Sequence, residues 1–129
     1  MRLLLALVLL AGCGSPCVED LDLDCAPLYT DLSWANVHAT TIEPSCASAG
    51  CHDADTAAGA LVLTPADTAW AALVSPESGT AAVIAGDAAC SDAIKRTEST
   101  GSDMMPPGAQ LSEAERCVLR LWVDQGAAQ

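Results

Sequence analysis

Seven cysteines are distributed over 129 residues, and the segment ahead of the first of them decides what they can do. Arg2 supplies a basic start, residues 3–10 are an unbroken apolar run, and the small residues Ala11 and Gly12 follow. That is the order of an export signal. The run is too short to cross a bilayer as a stable helix. A chain exported in this way folds in an oxidising compartment, where thiols pair unless some chemistry uses them. The fold is therefore constrained first by which cysteines are joined.

Leu10-Ala11-Gly12-Cys13 resembles the lipobox of bacterial lipoproteins. The resemblance implies that residues 1–12 are a lipoprotein signal peptide, cut before Cys13, and that Cys13 carries the lipid. The protein would then be anchored to a membrane without spanning it. Gly14, not Asp, follows Cys13, which by the sorting rule of enteric lipoproteins implies the outer membrane. The plain alternative is a simple secretory signal with a chance cysteine at its end. The 117 residues that follow the signal suffice for one small domain with a modest core. The positive mean hydropathy of the chain comes in part from the signal. The formal charge of −12 becomes one unit more negative when Arg2 leaves, and the remaining cations are Lys95, Arg96, Arg116 and Arg120. Such a surface repels nucleic acid and anionic lipid headgroups and suits a basic partner in the cell envelope.

Residues 13–29 contain proline and the acids Glu19, Asp20, Asp22 and Asp24, the composition of a lipidated tether ahead of a domain at 30–129. Cys17 and Cys25 are expected to close a loop within it. The domain reads as short helices joined by long loops. Asp31 or Ser33 can cap a helix that places Trp34, Val37, His38, Thr41 and Ile42 on one face, with Pro44 ending it. Thr64-Pro65-Ala66-Asp67 has the form of a capping box with proline at the first helical position. It opens a helix through Trp70, Leu73 and Val74 that Ser75-Pro76 stops. A third helix is expected after Gly86-Asp87, carrying Cys90, Ala93 and Ile94. The last is the clearest: Ser112-Glu113-Ala114-Glu115 is a capping box, Ala114, Cys117, Val118, Leu121 and Trp122 share a face, and Gly126 is its C-cap. Cys90 and Cys117 fall on two of these helices and are expected to pair and staple them. Leu61-Val62-Leu63 and Ala82-Val83-Ile84 read as extended loop segments. The class is mostly α, with long loops and disulfide staples.

Two stretches carry chemistry. Cys46-Ala47-Ser48-Ala49-Gly50-Cys51-His52 is a stretched form of Cys-x-x-Cys-His, in which two thiols form thioethers with the haem vinyl groups and the adjacent histidine ligates iron. Met104-Met105-Pro106-Pro107-Gly108 lies between the third helix and the last. The order of these parts resembles the class I cytochrome c fold, and most of all the small exported cytochrome c domains. The residues that carry the likeness are Cys51-His52, Gly59-Ala60-Leu61, Ala85-Gly86-Asp87, Met105-Pro106-Pro107-Gly108, Leu111-Ser112-Glu113-Ala114-Glu115 and Trp122-Val123-Asp124-Gln125-Gly126-Ala127. They run from about residue 33 to residue 128.

The resemblance implies one covalent haem c, with Cys46 and Cys51 as attachment points, His52 as proximal ligand and Met105 as distal ligand. A neutral imidazole and a soft thioether suit an iron that changes oxidation state without changing ligands. It also implies that Ala114, Val118 and Trp122 pack the last helix near Trp34 and Val37. The sequence departs from the usual motif by two extra residues between the cysteines, and Phe is absent, leaving Trp34, Trp70 and Trp122 to line a pocket.

Each candidate also has a plainer reading. Cys46 and Cys51 can form a small disulfide, Met104 competes with Met105, and His38 sits naturally in a core although it is a second candidate for distal ligand. Glu113 and Glu115 are explained by helix capping, and no nucleophile–base pair is present. Six cysteines remain after Cys13, and parity fits either three disulfides or one haem with two disulfides. A structural zinc site is poorly supported by two histidines. The expectation is a monomeric, lipid-anchored electron carrier of the cell envelope with a basic redox partner, and not an enzyme. The alternative is a haem-free, disulfide-stabilised lipoprotein of the same fold with a binding or structural role.

Overall fold

In the computed structural model, residues 16–75 and 81–129 are described. Residues 1–15 and 76–80 lie outside them, so the signal, Cys13 and Pro76 readings do as well. The first helical run comprises α1 (Trp34–Val37), a π-helical segment His38–Ile42 and α2 (Glu43–Cys46). Trp34, Val37, His38, Thr41 and Ile42 are all buried, as their spacing requires. The run does not stop at Pro44 but continues to Cys46. A proline ring crowds the carbonyl four residues back and supplies no N–H. The wider π turn just ahead relieves that crowding, and Pro44 falls in the first turn of α2, where no donor is needed.

A 3-10 turn, Ala58–Ala60, follows, and then α3, Ala66–Val74. The expected box from Thr64 to Asp67 does not form: Pro65 itself is the N-cap, and no side chain caps the helix. The register is one residue later than the box requires, so Thr64 lies outside the turn. The Pro65 carbonyl instead accepts the Ala69 N–H and the Thr68 hydroxyl.

The next helix, α4 (Asp92–Glu98), starts later than expected, with Cys90 in the turn before it. The reason is the buried Ser91, whose hydroxyl donates to the Asp87 carbonyl at 2.7 Å and accepts the Ile84 N–H at 2.8 Å. Those bonds hold residues 84–91 as a turn. No strand occurs among the described residues, and 61–64 and 81–84 are extended or bent loop.

Helix α5, Glu113–Asp124, forms as its sequence predicts. Ser112 and Glu115 make both bonds of the capping box. Gly126, at φ +109°, ends it in a Schellman turn: Gly126 N–H bonds the Val123 carbonyl and Ala127 N–H the Trp122 carbonyl.

The core lies where α5 crosses the first run. Val37 and Val118 are fully buried, and the Trp34 and Trp122 rings stack with centroids 5.1 Å apart, a contact worth about 1 kcal/mol beyond its buried area. Each indole N–H reaches a carbonyl: Trp34 to Ala66, Trp70 to Ala127 and Trp122 to Ala128. The tryptophans thereby fasten the start of α3 and the C-terminal residues to the core.

The cysteine pairing differs from expectation. Cys17 bonds Cys90 and Cys25 bonds Cys117; Cys17–Cys25 and Cys90–Cys117 do not form. Residues 16–29, expected as a tether, lie along the helical body. Val18 N–H bonds the Ala89 carbonyl, Leu28 N–H bonds the Ala114 carbonyl, and the Tyr29 hydroxyl meets Thr41 at 2.7 Å. Each disulfide joins this strap to a different part of the body, so neither thiol in the strap is left for the other.

Candidate functional site

The loop after α2 absorbs its two extra residues in a turn. Cys51 N–H bonds the Ser48 carbonyl at 3.0 Å, with Gly50 at φ +85° in the third position, where a residue with a Cβ would be strained. His52 N–H then bonds the Cys46 carbonyl at 3.1 Å and closes the loop. The longer spacing is therefore folded out of the way between Cys46 and Cys51.

Neither cysteine is in a disulfide, and both are half-buried. The third bridge that the haem-free alternative requires is thus not formed. Ser48 Oγ lies 3.5 Å from Cys51 Sγ. Burial, and then the nearby Cys51 and Glu115, push the Cys46 thiol up to about 11. Glu115 thereby links this loop electrostatically to the start of α5.

His52 is half-buried beneath the extended segment 61–63. Its Nδ1 lies 3.1 Å from the Leu61 carbonyl. A carbonyl can only accept, so Nδ1 carries a proton, and in the neutral ring Nε2 keeps its lone pair. That is the state in which an imidazole binds a metal, with the second nitrogen orienting the ring. The same segment is tied back by Leu63 N–H to the His52 carbonyl at 2.8 Å.

His38 is buried, with Nε2 2.9 Å from the Leu63 carbonyl, Nδ1 3.8 Å from Glu43 and its ring 5.3 Å from that of Trp34. By the same rule its Nε2 carries the proton. This nitrogen is occupied, and His38 is a satisfied core histidine.

Met105 sits in a loop fastened to the end of α4. Its N–H bonds the Arg96 carbonyl at 3.0 Å, and Gln110 Nε2 spans the carbonyls of Thr97, Glu98 and Ser99. Met104 and Met105 are both half-buried, so burial does not choose between them. An open groove of about 430 Å³ is lined by Pro16, Val18, Lys95, Glu98, Ser99 and Asp103. It shares no wall residue with Cys46, Cys51, His52 or Met105, and its mixed charges suggest no ligand.

Sequence reasoning missed the segment 61–63 as the support of His52, although Gly59-Ala60-Leu61 stood among the resembling residues. It also missed a charged network on α5. Arg120 is buried and bonds Glu98 at 2.6 and 2.9 Å, Glu113 at 2.7 Å and the Asp22 carbonyl at 3.3 Å. Arg116 Nε lies 3.3 Å from Glu98, but its N–H is not aimed at the carboxylate, so this is an ion pair and not a hydrogen bond. Nothing in the spacing of these residues marks them as partners. Only the meeting of α4, α5 and the strap does.

The sequence model of a family described as planctomycete cytochrome C matches residues 49–108. The fold is a small cytochrome c-like domain. The matched stretch contains Cys51, His52, Leu61, Met104 and Met105, and Cys46 lies three residues ahead of it. No curated protein and no solved structure matches the chain.

The donor set of this domain fits a haem c on its chemistry. Two reduced thiols flank a turn, and an imidazole beside them is held with its Nε2 lone pair free.

Proposed function

We propose that this protein is a lipid-anchored mono-haem cytochrome that passes single electrons in the cell envelope. The observation that carries the reading is His52 itself: next to free Cys51, inside the matched stretch, with Nδ1 committed to the Leu61 carbonyl. A bound haem c would supply an iron that cycles between ferric and ferrous states and so moves one electron without group transfer.

The chain's residues do the rest. Cys46 and Cys51 would hold the group by thioethers, each S–H adding across a vinyl C=C so that sulfur and hydrogen end on its two carbons. His52 would offer Nε2 as one iron ligand. Met105 would offer its thioether as the other, and Pro106 and Pro107 stiffen the loop that carries it. A haem held by both side chains would supply electron transfer, the role of a carrier and not of an enzyme. Cys13 supplies the lipid anchor, and Gly14 after it favours the outer membrane. The acidic surface favours a basic redox partner, met by a monomer.

Co-expression of the full chain with a cytochrome c maturation system tests this. Haem stain on a denaturing gel and a pyridine haemochrome band are expected. Haem is expected to be lost when Cys46→Ala and Cys51→Ala are combined, and Met105→Ala is expected to lose the charge-transfer band of iron–methionine ligation. Absence of covalent haem in the wild type overturns the reading. For the anchor, Cys13→Ser is expected to move the protein from the membrane to the soluble fraction.

A further inference from the structure

A circuit of hydrogen bonds connects the two histidines. His38 Nε2–H donates to the Leu63 carbonyl at 2.9 Å, Leu63 N–H donates to the His52 carbonyl at 2.8 Å, and His52 Nδ1–H donates to the Leu61 carbonyl at 3.1 Å. We propose that His38 is a positioning residue for His52, acting through the segment 61–63. The proposal rests on the reading of His52 as an iron ligand.

His38 is well suited to this. It sits in the π segment on the buried face of the first helical run, only 3% exposed, and its ring is backed by Trp34 at 5.3 Å. Segment 61–64 has no strand partner among the described residues, and its Leu61 and Leu63 carbonyls take their donors from histidine side chains. One carbonyl, Leu63, takes its donor from the rigid helix, and another, Leu61, presents an acceptor to His52. Removing the helix donor leaves a buried carbonyl unsatisfied and frees the segment to shift, which weakens the grip on Nδ1. A strong Nδ1–H bond raises the basicity of the imidazole and favours ferric iron, so weakening it raises the reduction potential.

The test uses three substitutions. His38→Gln keeps a donor at about the reach of Nε2, His38→Asn keeps an amide that falls short, and His38→Leu removes the donor. In the haem-free chain, amide exchange at Leu63 is expected to quicken about tenfold or more in His38→Asn and His38→Leu and to stay near wild type in His38→Gln. Imidazole nitrogen shifts are expected to show His52 as the Nδ1–H tautomer in the wild type and as a mixture in His38→Asn. In the haem-loaded protein the potential is expected to rise in His38→Asn and to return with His38→Gln.

Unchanged exchange and tautomer in His38→Asn overturn the proposal, as does a potential indifferent to all three changes. If His38→Leu does not fold, the Gln and Asn pair decides. A wild-type chain that takes up no haem sinks the proposed function instead, and the haem-free measurements still report whether His38 positions His52.

Discussion

Cys46 shows how a residue's neighbours decide its chemistry. Its thiol is pushed up from an ordinary value of 9.0 to about 11, mainly by burial, so at neutral pH it is a protonated and weak nucleophile. In the haem-free chain, alkylation of Cys46 by iodoacetamide is expected to be slow at pH 8 and still accelerating at pH 10, read by mass spectrometry of the modified peptide. The same shift has a consequence for stability. Between about pH 9 and pH 11 the unfolded chain has released this proton while the folded chain has kept it. Stability is therefore expected to fall across that window, by on the order of 2 kcal/mol. Cys46→Ala is expected to flatten that slope in urea titrations. Gly50 acts at the same scale: its positive φ lets the turn take up two residues without parting Cys46 from His52.

Helix α5 unites three devices, and each can be removed separately. Ser112→Ala deletes the cap that accepts the Glu115 N–H and is expected to cost about 1 kcal/mol by denaturant unfolding. Arg120→Met removes a buried guanidinium that ties Glu98, Glu113 and Asp22 together. It leaves Glu98, 15% exposed, with only the poorly aimed Arg116, and is expected to cost about 3 kcal/mol in the same measurement. The network also sets an acid limit. Its hydrogen bond from Arg120 holds the Glu113 carboxyl below the ordinary 4.5. The resulting stabilisation is complete above about that pH and is lost as the pH falls through the lowered value. Glu113 is more than half exposed, so its share is small and the fall shallow. Unfolding midpoints in Glu113→Gln should lose that part of the acid dependence.

For the whole molecule, the two disulfides matter more than any single helix. They close separations of 73 and 92 residues, and long closed loops remove much of the freedom of the unfolded chain. Replacing either pair by serine is expected to cost about 2–5 kcal/mol. The two replacements should also be distinguishable by amide exchange. Loss of Cys17–Cys90 exposes Val18, and loss of Cys25–Cys117 exposes Leu28, because those amides bond Ala89 and Ala114 beside each bridge.

The sequence by itself determined the helical class, the buried face from Trp34 to Ile42, and the capped α5 with Gly126 at its end. Each follows from local spacing or from cap residues within a few positions of one another. The same reading placed Cys46, Cys51, His52 and Met105 as candidates in order, because order along the chain is what a motif records. Only the tertiary structure decided which cysteines pair, why Pro44 does not end its helix, and that Arg120 has two carboxylate partners. It also decided that His38 and His52 are joined through segment 61–63. The difference is physical: a cap or a helical stripe is a short-range preference, whereas a disulfide or a carbonyl donor far along the chain depends on where the folded backbone brings it. The stretched cysteine pair belongs to both sides. Its spacing looked like a defect in the sequence, and the turn at Gly50 absorbs it.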